Sequence, residues 1–226
     1  MKLLLFLAFA LRMAHAELVK LATFDGAEGT TYKWKDLNDP VMGGQSVSTL
    51  TMANSTAIFD GTCKIVPSLK APGFCKISAS HGGLFTNFPD MGKFLNGTYQ
   101  LRARSLTPFS GFHASFAARG LPRNVNIPFG SFKSKFTLEG EDWQIVKIPL
   151  NEFSYDWSSY TGDCDTKDPT GYQHRCCSTT PEVCPTLKYL SVISDLEIWA
   201  EGSEGAFHLE IDWIGFGSEE SAVATS

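Results

Sequence analysis

Short runs in which apolar and polar side chains alternate recur along the chain, separated by Gly, Pro, Asn and Asp. In residues 97–104, Thr98, Gln100, Arg102 and Arg104 share one face, and Tyr99, Leu101 and Ala103 the other. Residues 111–118 align Phe112, Ala114 and Phe116. Residues 132–138 set Phe132, Ser134, Phe136 and Leu138 against Lys133 and Lys135. Near the C-terminus, 206–216 aligns Phe207, Leu209, Ile211 and Trp213. A period of two puts successive side chains on opposite faces of a strand, so each run predicts a strand with one buried face. The same pattern predicts strands over 18–24, 48–52, 56–59, 62–66, 74–78, 143–148 and 196–200. Turns are expected at Asn54, Asp60-Gly61 and Gly140-Glu141-Asp142. No 3.6-residue rhythm alternates with these strands, which argues against a βαβ architecture. Only 187–193 reads as a short helix or turn. The pattern implies an all-β sandwich or barrel.

Two stretches break the rhythm. The first is 34–46. Asn38 and Asp39 are Asx-turn formers, Pro40 fixes its own backbone, and Gly43 and Gly44 permit a positive φ or a close approach. Val41 and Met42 are too apolar for a solvated loop and are expected to cap the core. The stretch is a fold-defining loop first, with Asn38 and Asp39 as binding candidates. The second is 153–185, where no strand period survives. It holds Cys164, Cys176, Cys177 and Cys184, together with Tyr155, Trp157, Tyr160 and Tyr172. So long an irregular segment needs staples, and four cysteines pair in three ways. A Cys176–Cys177 bridge is disfavoured because adjacent residues close a strained ring. The aromatic residues suit either the loop's own packing or the gripping of a sugar ring or partner surface.

Composition places these elements in a compartment. Residues 1–16 carry Lys2, an apolar run and Ala14-His15-Ala16, the layout of a secretory signal peptide. A mature domain over 17–217 and a disordered small-residue tail over 218–226 are expected. Removing Lys2 and Arg12 leaves 17 Lys and Arg against 24 Asp and Glu, a charge of −7. An acidic domain is a poor partner for nucleic acid, and no later stretch is apolar enough to anchor in a membrane. The six cysteines, Cys63 and Cys75 with the four above, read as disulfides in an oxidising compartment. Cys63 and Cys75 are expected on neighbouring strands, where a bridge would contribute about 3 kcal/mol. Sequons at Asn54 and Asn96 predict glycosylation. A mitochondrial address is the alternative if the leader is not a signal peptide.

Candidate chemistry is sparse. There is no phosphate-binding glycine loop and no nucleophile elbow around a serine. Ser80-His81-Gly82-Gly83 reads as a turn. Asp163, Asp165 and Asp168 are a weak calcium candidate, out of register with an EF-hand loop. Glu201, His208 and Glu210 flank a hairpin and read as a satisfied surface pair rather than an acid–base couple. The sequence predicts a non-enzyme with no cofactor.

Several motifs resemble the complex I intermediate-associated protein 30 family. They are Asn38-Asp39-Pro40-Val41-Met42-Gly43-Gly44-Gln45-Ser46, Ile58-Phe59-Asp60-Gly61, and Val66-Pro67-Ser68-Leu69-Lys70-Ala71-Pro72-Gly73-Phe74. Phe129-Gly130-Ser131-Phe132-Lys133, Phe153-Ser154-Tyr155-Asp156-Trp157, Leu196-Glu197-Ile198-Trp199-Ala200-Glu201-Gly202 and Phe207-His208-Leu209-Glu210 follow in the family's order. The resemblance implies a galactose-binding-like jelly-roll sandwich and a non-catalytic, chaperone-like role, after the mitochondrial factor that helps assemble respiratory complex I. The leader departs from an Arg-rich mitochondrial presequence. The expected partner is therefore a protein met in the secretory pathway, with a secreted carbohydrate-binding module as the alternative.

Overall fold

The computed structural model describes residues 17–39, 43–67, 73–81, 86–122 and 130–219. The leader, the tail from 220 onward and the expected core cap at Val41 and Met42 lie outside the described residues.

Among the described residues, eleven strands form two antiparallel sheets. The first contains β1 (Leu18–Thr23), β3 (Val47–Ala53), β4 (Thr56–Cys63), β6 (Thr98–Ser105), β9 (Gln144–Pro149) and β11 (Gly205–Gly217). The second runs in the order β2 (Trp34–Asn38), β5 (Phe74–Ser80), β10 (Ile193–Glu201), β7 (Phe112–Ala118) and β8 (Ser131–Lys135). The 13-residue β11 is long enough to serve two partners on one edge, β4 along Gly205–Ile211 and β1 along Trp213–Gly217. Its other edge pairs with β6, with a register shift between Ile211 and Trp213. A four-residue helix, α1 (Leu187–Leu190), precedes β10.

The inner faces carry most of the residues that the alternation selects, but the register shift in β11 exchanges its faces after Ile211, so Ile214 and Phe216 join the core in place of Trp213, whose ring lies under the Lys20 ammonium. Phe59, Tyr99, Phe112, Phe116, Phe132, Phe153 and Phe216 are buried between the sheets. Tyr99 packs at 5.3 Å from Phe216 and 5.4 Å from Phe153, ring centroid to centroid. Each such ring contributes about 1.5–3 kcal/mol by leaving water. The Tyr99 hydroxyl is buried without a hydrogen-bond partner, and burial pushes its pKa upward.

Three expectations are corrected. Residues 56–63 form one strand through Asp60-Gly61, because Gly61 is not a turn there. A Cβ on Gly61 would fall 2.4 Å from the Phe207 ring and 2.5 Å from the Val47 carbonyl oxygen, so the residue permits close packing. Residues 34–38, read as loop, form the edge strand β2. Cys63 and Cys75 are buried free thiols. They lie on β4 and β5, which belong to opposite sheets and not to neighbouring strands. The Cys63 thiol donates to the Gly73 carbonyl at 3.0 Å. Burial pushes both thiols up to about 12, so neither is a reactive thiolate at neutral pH.

Candidate functional site: a charged sheet face under a stapled insertion

The outer face of the second sheet is unlike a solvated sheet face. Along β10, Leu196, Ile198 and Ala200 point into the core, which sends Glu197, Trp199 and Glu201 outward. The neighbours in register add Lys76 from β5, His113 and Ser115 from β7, and Lys133 from β8. All of these are buried, and residues 153–185 reach over Lys133, Trp199, His113 and Glu201. Ser154 extends β8 by two backbone hydrogen bonds with Lys133, at 2.9 and 3.1 Å. From that start Trp157 reaches back, and its indole N–H donates to the Ser131 carbonyl at 2.9 Å.

Beneath this cover the charges are paired. The Lys133 Nζ lies 2.6 Å from Glu201 Oε1, and 3.6 and 3.7 Å from the ring centroids of Trp157 and Trp199. Two indole faces and a carboxylate thus replace the water that the ammonium has lost. Burial lowers the Lys133 pKa, and the Glu201 carboxylate opposes that shift. Lys76 Nζ donates to Glu197 at 2.7 Å and sits 4.5 Å from the Trp199 ring. Glu197 also accepts from the Trp199 indole at 3.0 Å and from Ser115 at 3.2 Å. Burial works to raise the Glu197 pKa, but Lys76, Lys133 and the Trp199 N–H together outweigh it and hold the carboxyl below its ordinary value. His113 Nε2 bonds Asp163 at 2.9 Å, while its Nδ1 stands 3.5 Å from Glu201. Gly162 lets the insertion settle over Glu201. It has a φ of +80°, and a Cβ there would fall 2.4 Å from the Glu201 carboxylate.

The insertion has its own polar centre. His174 places Nδ1 2.9 Å from Asp156 and Nε2 2.9 Å from Asp168. Arg175 donates to Asp156 at 2.8 Å, and Tyr172 donates to it at 3.2 Å. Burial pushes the Asp156 pKa up, and these donors, Arg175 foremost, bring it below the ordinary carboxylate value. The disulfides are Cys164–Cys176 and Cys177–Cys184, which selects one of the three pairings. The three aspartates of the calcium candidate face different ways. Asp163 turns to His113, Asp168 turns to His174 and Ser158, and Asp165 is exposed with a φ of +52°. Among the described residues no three His, Cys, Asp or Glu side chains converge to hold a metal. At the rim of the insertion is an open depression of about 450 Å³, bounded by Lys135, Glu152, Asp163, Asp165, Thr166 and Ser178.

The other binding candidates take distinct positions. Trp157 is buried as described, and Tyr155 is half-buried against Phe132. Tyr160 is half-buried, and Tyr172 is 52% exposed. Asp39 is buried, and its carboxylate accepts from the Ser46 N–H and hydroxyl, both at 2.7 Å, and from the Phe74 N–H at 3.1 Å. A Cβ on Gly44 would collide with that carboxylate at 2.1 Å, and Gly43 has a φ of +88°. Asp39 therefore ties the loop to the start of β5. The Asn38 side chain closes on Ser48 of β3. Its oxygen accepts from the Ser48 N–H at 3.2 Å, and its nitrogen donates to the Ser48 hydroxyl at 2.5 Å. Glu201 and His208 do not meet. Glu201 faces Lys133, and His208 lies between Asp60 and Glu210.

The buried charges on the sheet face escaped the sequence reading. Alternation assigns Lys133 to the outer face of its strand, but nothing in residues 153–185 announces that they cover it. One signal was present: β10 alternates Leu, Ile and Ala with Glu, Trp and Glu, an outer face mixing acids with a large aromatic ring.

The family model described as complex I intermediate-associated protein 30 matches residues 22–165, more than half of the chain. The chain belongs to that family. The match takes in the Asp39 loop, Lys133 and Trp157. No curated protein matches the chain. Among solved structures, the family 11 carbohydrate-binding module from Clostridium thermocellum in complex with a β-1,3-1,4-mixed-linked tetrasaccharide is similar at a TM-score of 0.51. It is 12% identical, over 89% of this chain and 94% of that one. The family 11 module of the cellulase Lic26A-Cel5E from the same organism gives 0.50 and 12%, over 90% of this chain and 95% of its own. A segment of the agarase AgWH50C gives 0.52 and 14%, over 89% of this chain and 24% of that one. These likenesses show a shared carbohydrate-binding-module-like jelly-roll fold for this complex I intermediate-associated protein 30 domain.

Proposed function

We propose that this complex I intermediate-associated protein 30 domain is a non-catalytic, assembly-type binding domain of the secretory pathway, holding a protein partner at the rim of its stapled insertion. One observation carries the reading. The groups best suited to chemistry or to sugar stacking are closed in and spent on one another: Lys133 with Glu201, His113 with Asp163, Trp157 with Lys133. The insertion that covers them turns Tyr172 outward beside Arg175, whose side chain is 48% exposed. Tyr and Arg are the residue types that anchor protein interfaces. The two disulfides fit an oxidising compartment.

The test is affinity capture from cells that secrete the tagged chain, compared with Tyr172→Ala/Arg175→Ala. The proposal expects a partner retained by the parent and lost by the double variant. A partner retained equally by both overturns the assigned surface. Glycan binding is the second reading, favoured by the hydroxyl and carboxyl groups around the depression: Ser134, Thr166, Ser178, Glu152 and Asp165. Saturable binding on a glycan array, lost in Glu152→Ala/Asp165→Ala, would put that reading first.

A further inference from the structure

Antiparallel sheets must manage their open edges, whose unpaired N–H and C=O groups are a template for another chain. Most edges here carry a recognisable device. β2 has Lys35 and Asp36, β9 has Lys147 and Pro149, and β1 has Lys20 with a register shift beside it. β8 is extended by Ser154.

β3 is different. Its seven residues, Val47-Ser48-Thr49-Leu50-Thr51-Met52-Ala53, contain no charge, no Pro and no Gly. The β3–β4 register runs unbroken from Val47↔Thr62 to Ala53↔Thr56, so no bulge twists the edge away. Val47 is 57% exposed and Met52 45%. β-branched and apolar residues without a charge are the composition of a strand that pairs with copies of itself. Asn38 caps the Ser48 N–H. By the period of two, the N–H groups of Leu50 and Met52 point off the same edge, and no described residue caps them.

The strand ends in a sequon. Asn54 and Ser55 are the two residues of a tight hairpin turn, with φ of +50° and +60°, and both are exposed. Ala53↔Thr56 is the closing pair. Asn54 therefore projects from the tip of this charge-free edge, whose Leu50 and Met52 N–H groups meet no partner among the described residues. The other sequon is placed differently: Asn96 is exposed, but its Thr98 is buried in β6, accepting from the Gln100 amide at 2.8 Å.

We propose that Asn54 carries an N-linked glycan and that this glycan is the missing cap of the β3 edge. The proposal rests on the secretory reading above, because transfer needs a lipid-pyrophosphate-linked oligosaccharide as co-reactant. The Asn54 Nδ2 forms a bond to the anomeric carbon of that oligosaccharide. The bond from carbon to pyrophosphate oxygen breaks, the lipid pyrophosphate leaves with the electron pair, and the amide gives up one proton. A hydrated glycan two residues beyond Met52 then bars a second strand from the edge.

The full chain is expressed in a secreting eukaryotic culture, and the medium is treated with a peptide N-glycanase. Mass spectrometry is expected to find Asn54 converted to Asp. The enzyme-treated protein and Asn54→Gln are expected to self-associate in light scattering, while the glycosylated parent stays monomeric. Met52→Lys, which places a charge on the edge, is expected to return Asn54→Gln to the monomer. Secretion with Asn54 unmodified overturns the site alone. Absence from the medium, with the chain retained outside the secretory pathway, overturns the site together with the secretory reading. A glycan on Asn54 whose removal leaves the protein monomeric overturns the capping role.

Discussion

Lys133 is the residue on which the covered face turns, and Lys133→Met removes its charge while keeping its length. In the parent, the Glu201 carboxylate has Lys133 at 2.6 Å, and His113 Nδ1 stands off at 3.5 Å. Glu201 is 2% exposed, so water does not replace the lost ammonium. Removing one partner of a buried pair leaves an uncompensated charge and costs about 3–5 kcal/mol. For a domain of this size each kcal/mol lowers Tm by about 2–4 °C, so the expected drop is about 6–20 °C. The assay is urea unfolding followed by tryptophan fluorescence with the disulfides intact. Trp157 and Trp199 stack on Lys133, so their emission reports the site as well as the fold. Combining Lys133→Met with Glu201→Gln removes both charges and is expected to recover more than half of the loss. A Lys133→Met protein within about 1 kcal/mol of the parent would refute the reasoning, as would a double variant destabilised by the sum of the singles.

Other predictions concern the loop, the core and acid stability. Asp39→Ala strands three buried or half-buried donors and is expected to cost about 2–4 kcal/mol. Gly44→Ala, which collides with that same carboxylate, should be destabilising too, and an unchanged urea midpoint for either variant counts against the loop's role. Tyr99→Phe removes a hydroxyl that satisfies nothing, so stability should stay level or rise by up to about 1 kcal/mol; a clear loss would reveal an unseen partner. Glu197 and Asp156 have pKa values held below their ordinary 4.5 and 3.8. Their contribution is complete above the unfolded values and is lost as pH falls through the lower folded ones. Thermal melts should be level near neutrality and drop below about pH 4; stability that rises from pH 5 to pH 3 would contradict the pairing.

The strands were legible because a half-buried strand writes its geometry into a period of two. Phe112, Ala114 and Phe116 on β7, or Phe207, Leu209 and Ile211 on β11, allow no other reading. Local turn chemistry was less faithful. Asp60-Gly61 has the composition of a turn, yet Gly61 serves a ring contact with Phe207 that comes from a strand almost 150 residues away. Trp34–Asn38 was obscured by the turn formers beside it, although its pairing with β5 makes it an edge strand. The candidate site was the least legible part. Burial of Lys133 and Glu201 involves an insertion with no period of its own, held to the sheet by the backbone pairing at Ser154, the Trp157 bond to Ser131 and the Asp163 bond to His113, and stapled within itself by two disulfides. The same cover turned Trp157 from a binding candidate into packing. Cys63 and Cys75 show the limit of counting: an even number of cysteines says nothing about which sheet each faces.

The central claim is that the rim of the stapled insertion, around Tyr172 and Arg175, holds a protein partner. A photo-crosslinking amino acid placed at Tyr172 in the full chain tests it directly, with the same probe at Glu141, an exposed turn residue before β9, as the control. The account predicts a discrete protein adduct from position 172 and none from position 141. Adducts of equal yield from both positions, or none from either, would contradict it.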